Sequence, residues 1–201
     1  KLPKKIKKEN IQKWINNKVK KSLKNLKIKK FECLLLHNSN SLLERNGNEI
    51  YKSMKNIKKE GLSNKIGISI YDFKTLKKIL NKFELNLVQA PLNILDQRLI
   101  QTGWLQRLKK RKIEVHVRSV FLQGILLLKY NQLPKKLKYL KKNWIIWEKW
   151  LKKNKLTPLQ ACLSFIFNQK NLDGVIMGYN SKDQLDQILS QKKILKKSIS
   201  P

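Results

Sequence analysis

Glu32-Cys33-Leu34-Leu35-Leu36-His37 is the stretch on which the fold turns. A short, unbroken apolar run that ends on a polar residue is the pattern of a strand covered on both faces by helices. A strand with one wet face would alternate instead. Upstream, Ile11, Trp14, Ile15, Val19, Leu23 and Leu26 recur at helical spacing with Lys on the opposite face, which predicts an amphipathic helix over 11–26. Downstream, Ile50, Met54 and Ile57 predict a helix from Glu49 to Glu60, and Gly61 suits the left-handed residue that ends it.

The same cycle repeats along the chain. Strands are predicted at 65–69, 86–91, 113–119 and 173–178. Between them, a helix from Asp72 carries Phe73, Leu76, Ile79 and Leu80, and a helix over 97–111 carries Leu99, Ile100, Trp104, Leu105 and Leu108. A longer helical region spans 137–169, broken at Thr157-Pro158, an N-cap followed by a first-turn proline. Ser181-Lys182-Asp183-Gln184 is a capping box that opens the last helix. Strands alternating with helices imply right-handed crossovers and a parallel sheet. A doubly wound sheet is the alternative, but none of the seven glycines forms its phosphate-binding G-x-G-x-x-G. Trp144, Trp147 and Trp150 read as part of an outer helix packed on its neighbours, with a basic helix lying on a membrane as the other reading.

The 201 residues fit a single α/β domain over 1–201. A complete (β/α)8 TIM barrel runs to about 250 residues. The sequence also begins at Lys1, without Met or a cleavable apolar leader. The expectation is therefore a parallel (β/α)8 TIM barrel, N-terminally truncated, with about five of its eight strand-helix units present. An opened barrel would expose strand edges, so such a piece is expected neither to fold stably nor to act alone.

The net charge of +33 raises nucleic acid or another polyanion as a partner. Its source argues against that reading. Only Arg45, Arg98, Arg107, Arg111 and Arg118 are arginines, although Arg is the better bidentate reader of phosphate and guanine. The lysines are spread through every helix, while Ala occurs only at Ala90 and Ala161, the bias of a genome rich in A and T. Cys33 and Cys162 lie in apolar runs without metal-ligand spacing, which predicts buried free thiols, no metal and a cytoplasmic protein. No segment reaches the roughly 18 apolar residues of a membrane span, so no membrane partner is expected.

Polar residues recur where the strands end: His37, Ser69, Gln89 followed by Asn93, Arg118 with Ser119, and Gly178. Barrel enzymes build their sites at that rim. One histidine there would more often be structural, but the whole set points to a site.

Several segments resemble the aldo-keto reductases. They are Ser22-Leu23-Lys24-Asn25-Leu26 leading to Leu34-Leu35-Leu36-His37, Gly61 with Lys65-Ile66-Gly67-Ile68-Ser69, and Val88-Gln89-Ala90-Pro91-Leu92-Asn93. The series continues with Arg118-Ser119-Val120-Phe121-Leu122-Gln123-Gly124-Ile125-Leu126, Thr157-Pro158-Leu159-Gln160-Ala161, and Val175-Ile176-Met177-Gly178 with Ser181 and Gln184-Leu185. Each is weak alone. In the family's order, over nearly the whole chain, they are specific.

The resemblance implies metal-free hydride transfer between NADPH/NADP+ and a small aldehyde or ketone. The family's tetrad is Asp, Tyr, Lys and His, in which Tyr protonates the carbonyl oxygen, Lys lowers the Tyr pKa and His orients the substrate. His37 matches the tetrad His. Lys1-Leu2-Pro3 is similar to the end of the family's third strand, which makes Lys1 the tetrad Lys and puts Asp and Tyr before it. Ser69 and Gln89 match the residues that hold the nicotinamide carboxamide. Ser119, Phe121 and Gly124 match the pyrophosphate loop, and Gly178, Ser181 and Gln184 the adenosine end, where a helix N-terminus favours the 2'-phosphate. Three departures stand out: Ile70 where many members have Asn, Arg118 where many have a Tyr stacked on the nicotinamide, and Ile188 where Asn is common. An inactive barrel relative is the alternative within this reading, and a polyanion-binding protein the alternative from another class.

Overall fold

The computed structural model describes Pro3 and residues 6–195. Its strands are β1 (Phe31–Leu36), β2 (Ser63–Ser69), β3 (Leu87–Pro91), β4 (Glu114–Arg118) and β5 (Gly174–Val175). They form one sheet in the order β1-β2-β3-β4-β5. The helices are α1 (Ile11–Leu26), α2 (Gly47–Lys59), α3 (Phe73–Leu80), α4 (Arg98–Gln101), α5 (Trp104–Lys110), α6 (Lys141–Lys153), α7 (Pro158–Phe167) and α8 (Lys182–Leu195). Strands in sequence order, each followed by helix, are the parallel β/α architecture that the alternation predicts. The chain divides into two compact units, Lys1–Ala90 with Thr102–His116, and Pro91–Gln101 with Val117–Pro201.

In the first unit, β1 pairs in parallel with β2 (Leu36 opposite Ile68) and β2 with β3 (Ser69 opposite Gln89). Ile11, Ile15, Val19 and Leu23 of α1 are buried, and so are Ile50, Met54 and Ile57 of α2. Leu26, expected inward, is 61% exposed. It is the last helical residue, and Lys27 turns left-handed (φ 54°) directly after it. The predicted stop of α2 holds: Gly61 has φ 75°, its N–H donates to Lys58 O (3.1 Å), and Leu62 N–H donates to Ile57 O (3.1 Å). Asp72 caps α3, accepting from Lys74 N–H (3.2 Å) and Thr75 N–H (2.7 Å). Phe73 of α3 stacks on Trp104 of α5, ring centroids 6.2 Å apart.

The helix expected over 97–111 is two helices. Gly103 sits between them with φ 72°, a conformation that breaks the hydrogen-bond ladder. α4 accordingly belongs to the second unit and α5 to the first. The region 137–169 likewise divides into a 3-10 stretch (Lys135–Leu140), α6 and α7. The break at Thr157 is as predicted, with Thr157 Oγ1 accepting from Gln160 N–H (3.2 Å) and Gln160 Oε1 from Thr157 N–H (2.9 Å).

The fifth strand is shorter than the expected 173–178. Only Gly174 and Val175 are strand, and Ile176 N–H then donates to Val117 O (2.7 Å). β4 stops at Arg118 because Ser119 has φ 62°, outside the range of a strand. Cys162 is buried as expected, whereas Cys33 is half-buried. Burial pushes both thiols up, Cys33 to about 11 and Cys162 to about 12, so both stay protonated at neutral pH. No helix among the described residues is long and apolar enough to cross a membrane.

Two expectations follow. A Cβ at Gly67 in β2 would stand 2.3 Å from Leu87 O and 2.9 Å from Leu35 Cδ2. A backbone carbonyl in a sheet ladder cannot retreat, so Gly67→Ala should cost about 3 kcal/mol in urea unfolding of the full-length protein. Asp72→Ala should cost about 1 kcal/mol by the loss of its cap. The Asp72 carboxyl is held below its usual pKa, first by the Thr75 amide. Its contribution is therefore present above the unfolded carboxylate pKa and is lost as pH falls through the folded one. The gap between wild type and variant should close in unfolding curves measured at progressively lower pH.

Candidate active site

In the first unit the chemistry gathers where β1, β2 and β3 end. His37 follows β1 directly, is exposed, and has no hydrogen-bond partner among the described residues. It lines a cavity of 790 Å³ with Trp14, Leu34, Leu36 and Tyr71. Ser69, at the end of β2, is 3% exposed, and its hydroxyl donates to Gln89 Oε1 (3.0 Å). The β2–β3 register causes this, because Ser69 lies opposite Gln89 and both side chains project to the same face. Ile70 N–H donates to Gln89 O (2.9 Å). Where Asn is common in the family, the buried Ile70 side chain contributes no polar atom. Lys1 lies outside the described residues.

In the second unit the loop after β4 carries the geometry. Ser119, Leu122, Gln123 and Gly124 all have left-handed backbone, with φ of 62°, 46°, 56° and 86°. Such a run is costly for non-glycine residues and is held only by its surroundings. Leu122 N–H donates to Ser119 O (2.9 Å) and Leu126 N–H to Phe121 O (3.2 Å). The N–H groups of Phe121, Gln123 and Gly124 have no acceptor among the described residues. Beside them is a cavity of 630 Å³ whose lining includes Ser119, Phe121, Gly124, Gly178, Gln184 and Ile188, and no charged side chain. Arg118 donates through Nη1 to Ser119 Oγ (3.0 Å).

The start of α8 departs from the expected capping box in one bond. Ser181 Oγ accepts from Gln184 N–H (3.3 Å), as expected, but Gln184 Oε1 accepts from Asn180 N–H (2.8 Å). The side chain reaches one residue further back than the box requires. Gly178, Ser181 and Gln184 are exposed.

One residue matters more than its place in the sequence suggests. Asn93 is 1% exposed. Its Nδ2 donates to Ser119 O (3.1 Å), while its Oδ1 accepts from Leu95 N–H and Asp96 N–H, both at 2.9 Å. It thereby ties the segment after β3 to the left-handed residue that opens the loop after β4. The signal was an amide two residues past a strand end, but only burial shows that it acts on backbone. Asp96 in turn forms a bidentate pair with Arg98 (2.8 Å through each oxygen), which holds its carboxyl below the ordinary range.

The chain matches the model of the aldo/keto reductase family over residues 1–199. Among solved structures it is similar to an aldo-keto reductase from Bacillus halodurans in its apo form, with TM-score 0.71 and 20% identity over 90% of this chain and 62% of that one. The holo form of that protein gives TM-score 0.67 and 19% identity over 92% and 61%. A thermostable aldo-keto reductase in complex with the inhibitor epalrestat gives TM-score 0.64 and 19% identity over 92% and 62%. The chain thus spans somewhat under two thirds of the length of these relatives. No curated protein matches it in sequence. With the family model covering almost every residue and the strand-helix order shared with these structures, the chain belongs to the aldo/keto reductase family.

Proposed function

We propose that the full-length protein is an NADP(H)-dependent oxidoreductase acting on a small aldehyde or ketone. The loop after β4 carries this reading. Its left-handed run leaves the Phe121, Gln123 and Gly124 N–H groups without an acceptor among the described residues, beside a cavity lined by no acidic residue. Backbone donors arranged in this way suit phosphate oxygens. An added Cβ at Gly124 or Gly178 would meet nothing within 4 Å, so open space adjoins the backbone at both points. These residues fit a dinucleotide, which when bound supplies the hydride.

Each unit has its own part in this reading. In the second, Ser119, Phe121 and Gly124 would hold the pyrophosphate, and Gly178, Ser181 and Gln184 the adenosine end. The N-terminus of α8 favours a phosphate there, and Lys182 adds a positive charge, while Asp183 in the same turn opposes it. In the first, Gln89 Oε1 is occupied by the Ser69 hydroxyl, which leaves the Gln89 amide N–H free in character to donate to a carboxamide oxygen. Arg118, which belongs to the second unit, would offer a guanidinium for stacking in place of the usual Tyr. His37, with no hydrogen-bond partner among the described residues, would donate to the substrate oxygen and orient it. Lys1 would act on a Tyr proton donor. Two free cysteines with raised thiol pKa suit a reducing cytoplasm.

Fluorescence titration of the full-length protein should give a Kd for NADPH at least about tenfold below that for NADH, the worth of one favourable phosphate contact. Equal affinity for both, or none, would remove the adenosine site from this reading. His37→Ala should lower kcat/KM for carbonyl reduction by about 100-fold through lost orientation, with the NADPH Kd unchanged. Unchanged turnover would return His37 to a structural role.

A further inference from the structure

α6 and α7 line a second cavity in the second unit, of 580 Å³, which shares no lining residue with the cavity beside Ser119 and Gln184. Its walls include Trp144, Trp147 and Trp150 of α6 and Ala161 and Phe165 of α7. No charged residue lines it, although α6 carries five lysines. The volume lies in the range of small-molecule sites, which combine apolar walls with a few polar groups.

The polar groups here are unusual. The Trp144 indole N–H is spent on Leu128 O (3.0 Å). The Trp147 indole nitrogen and the Ser164 hydroxyl, by contrast, are both sealed from solvent with no hydrogen-bond partner among the described residues, and both residues line this cavity. Ser164 as a whole is 6% exposed. Buried polar groups without partners are rare because each has lost its water for nothing. An indole N–H can only donate, and a serine hydroxyl can rotate to donate, so the shared requirement is an acceptor. Trp147 stacks on Trp150, with ring centroids 5.6 Å apart and planes 9° from parallel, and Trp150 is 44% exposed. The cavity thus meets solvent at a flat aromatic surface.

We infer that this cavity binds a neutral, flat aromatic molecule bearing a carbonyl oxygen. The rings pack against the tryptophans and Phe165, and the oxygen accepts from Trp147 Nε1, with Ser164 Oγ as a second donor. Both atoms are sealed from solvent, so binding requires each side chain to turn toward the cavity its residue lines. A charged ligand is disfavoured, because the lining has no counter-charge to replace its lost hydration.

The test is a fluorescence titration of the full-length protein with prodan, a neutral naphthalene with one ketone whose emission reports hydrogen bonding to that oxygen. Saturable binding at one site per chain is expected. Trp147→Phe keeps the aromatic surface and removes the donor, so it should weaken binding about tenfold and shift the bound emission to shorter wavelength. Ser164→Ala should act in the same direction and is the second variant should Trp147→Phe not fold by circular dichroism. 2-Dimethylaminonaphthalene, which lacks the ketone, should bind the wild type about as weakly as prodan binds Trp147→Phe. No saturable binding to the wild type, or unchanged affinity and emission in both folded variants, would overturn the assignment.

Discussion

A single buried amide organises the candidate site of the second unit. The Asn93 side chain donates to Ser119 O and accepts from two successive backbone N–H groups, at 2.9–3.1 Å. Three bonds on one side chain leave little freedom, and inside the protein each is stronger than it would be in water. Ser119, which receives this contact, is left-handed, and so are Leu122, Gln123 and Gly124 after it. Strain of this kind persists only where the surroundings over-determine it. The loop N–H groups with no acceptor among the described residues are a consequence, since backbone turned left-handed cannot continue the ladder of β4.

A different constraint governs the sheet of the first unit. Gly67 allows β2 to lie so close to Leu87 that a single added carbon would collide with backbone. With that spacing fixed, Ser69 falls opposite Gln89 and their side chains meet. Toward the other end of the strands, Lys65 bridges Glu32 (2.6 Å) and Glu114 (2.7 Å). The two carboxylates raise the Lys65 pKa, and Lys65 with Asn64 lowers that of Glu32, so Lys65 and Glu32 stay charged. In a chain so rich in lysine, acidic residues are the scarce partner. Two of them converge on one ammonium and bind three strands into register.

The sequence by itself determined the element types and their order. An apolar run closed by a polar residue reads as a strand, and apolar residues every three or four positions read as one buried helix face. The expected cover on both faces does not hold for β1, which ends the sheet order and has no fully buried residue. Local chemistry was equally legible at Gly61, Asp72 and Thr157, where the residue that ends or starts the helix is itself the cause. What the sequence misjudged was continuity. The apolar spacing of 97–111 ran on across Gly103, and the run 173–178 extended the strand beyond Gly174–Val175, because periodicity records which residues are apolar and not where backbone geometry changes. Only the tertiary structure decided that Ser69 and Gln89 share a hydrogen bond, that Asn93 clamps Ser119, and that the Trp147 indole nitrogen and the Ser164 hydroxyl are sealed from solvent beside one cavity with no partner among the described residues. Those facts depend on strand register, on the path of the loop after β4 and on the packing of α6 with α7, which bring together residues far apart in sequence through contacts that no local pattern encodes.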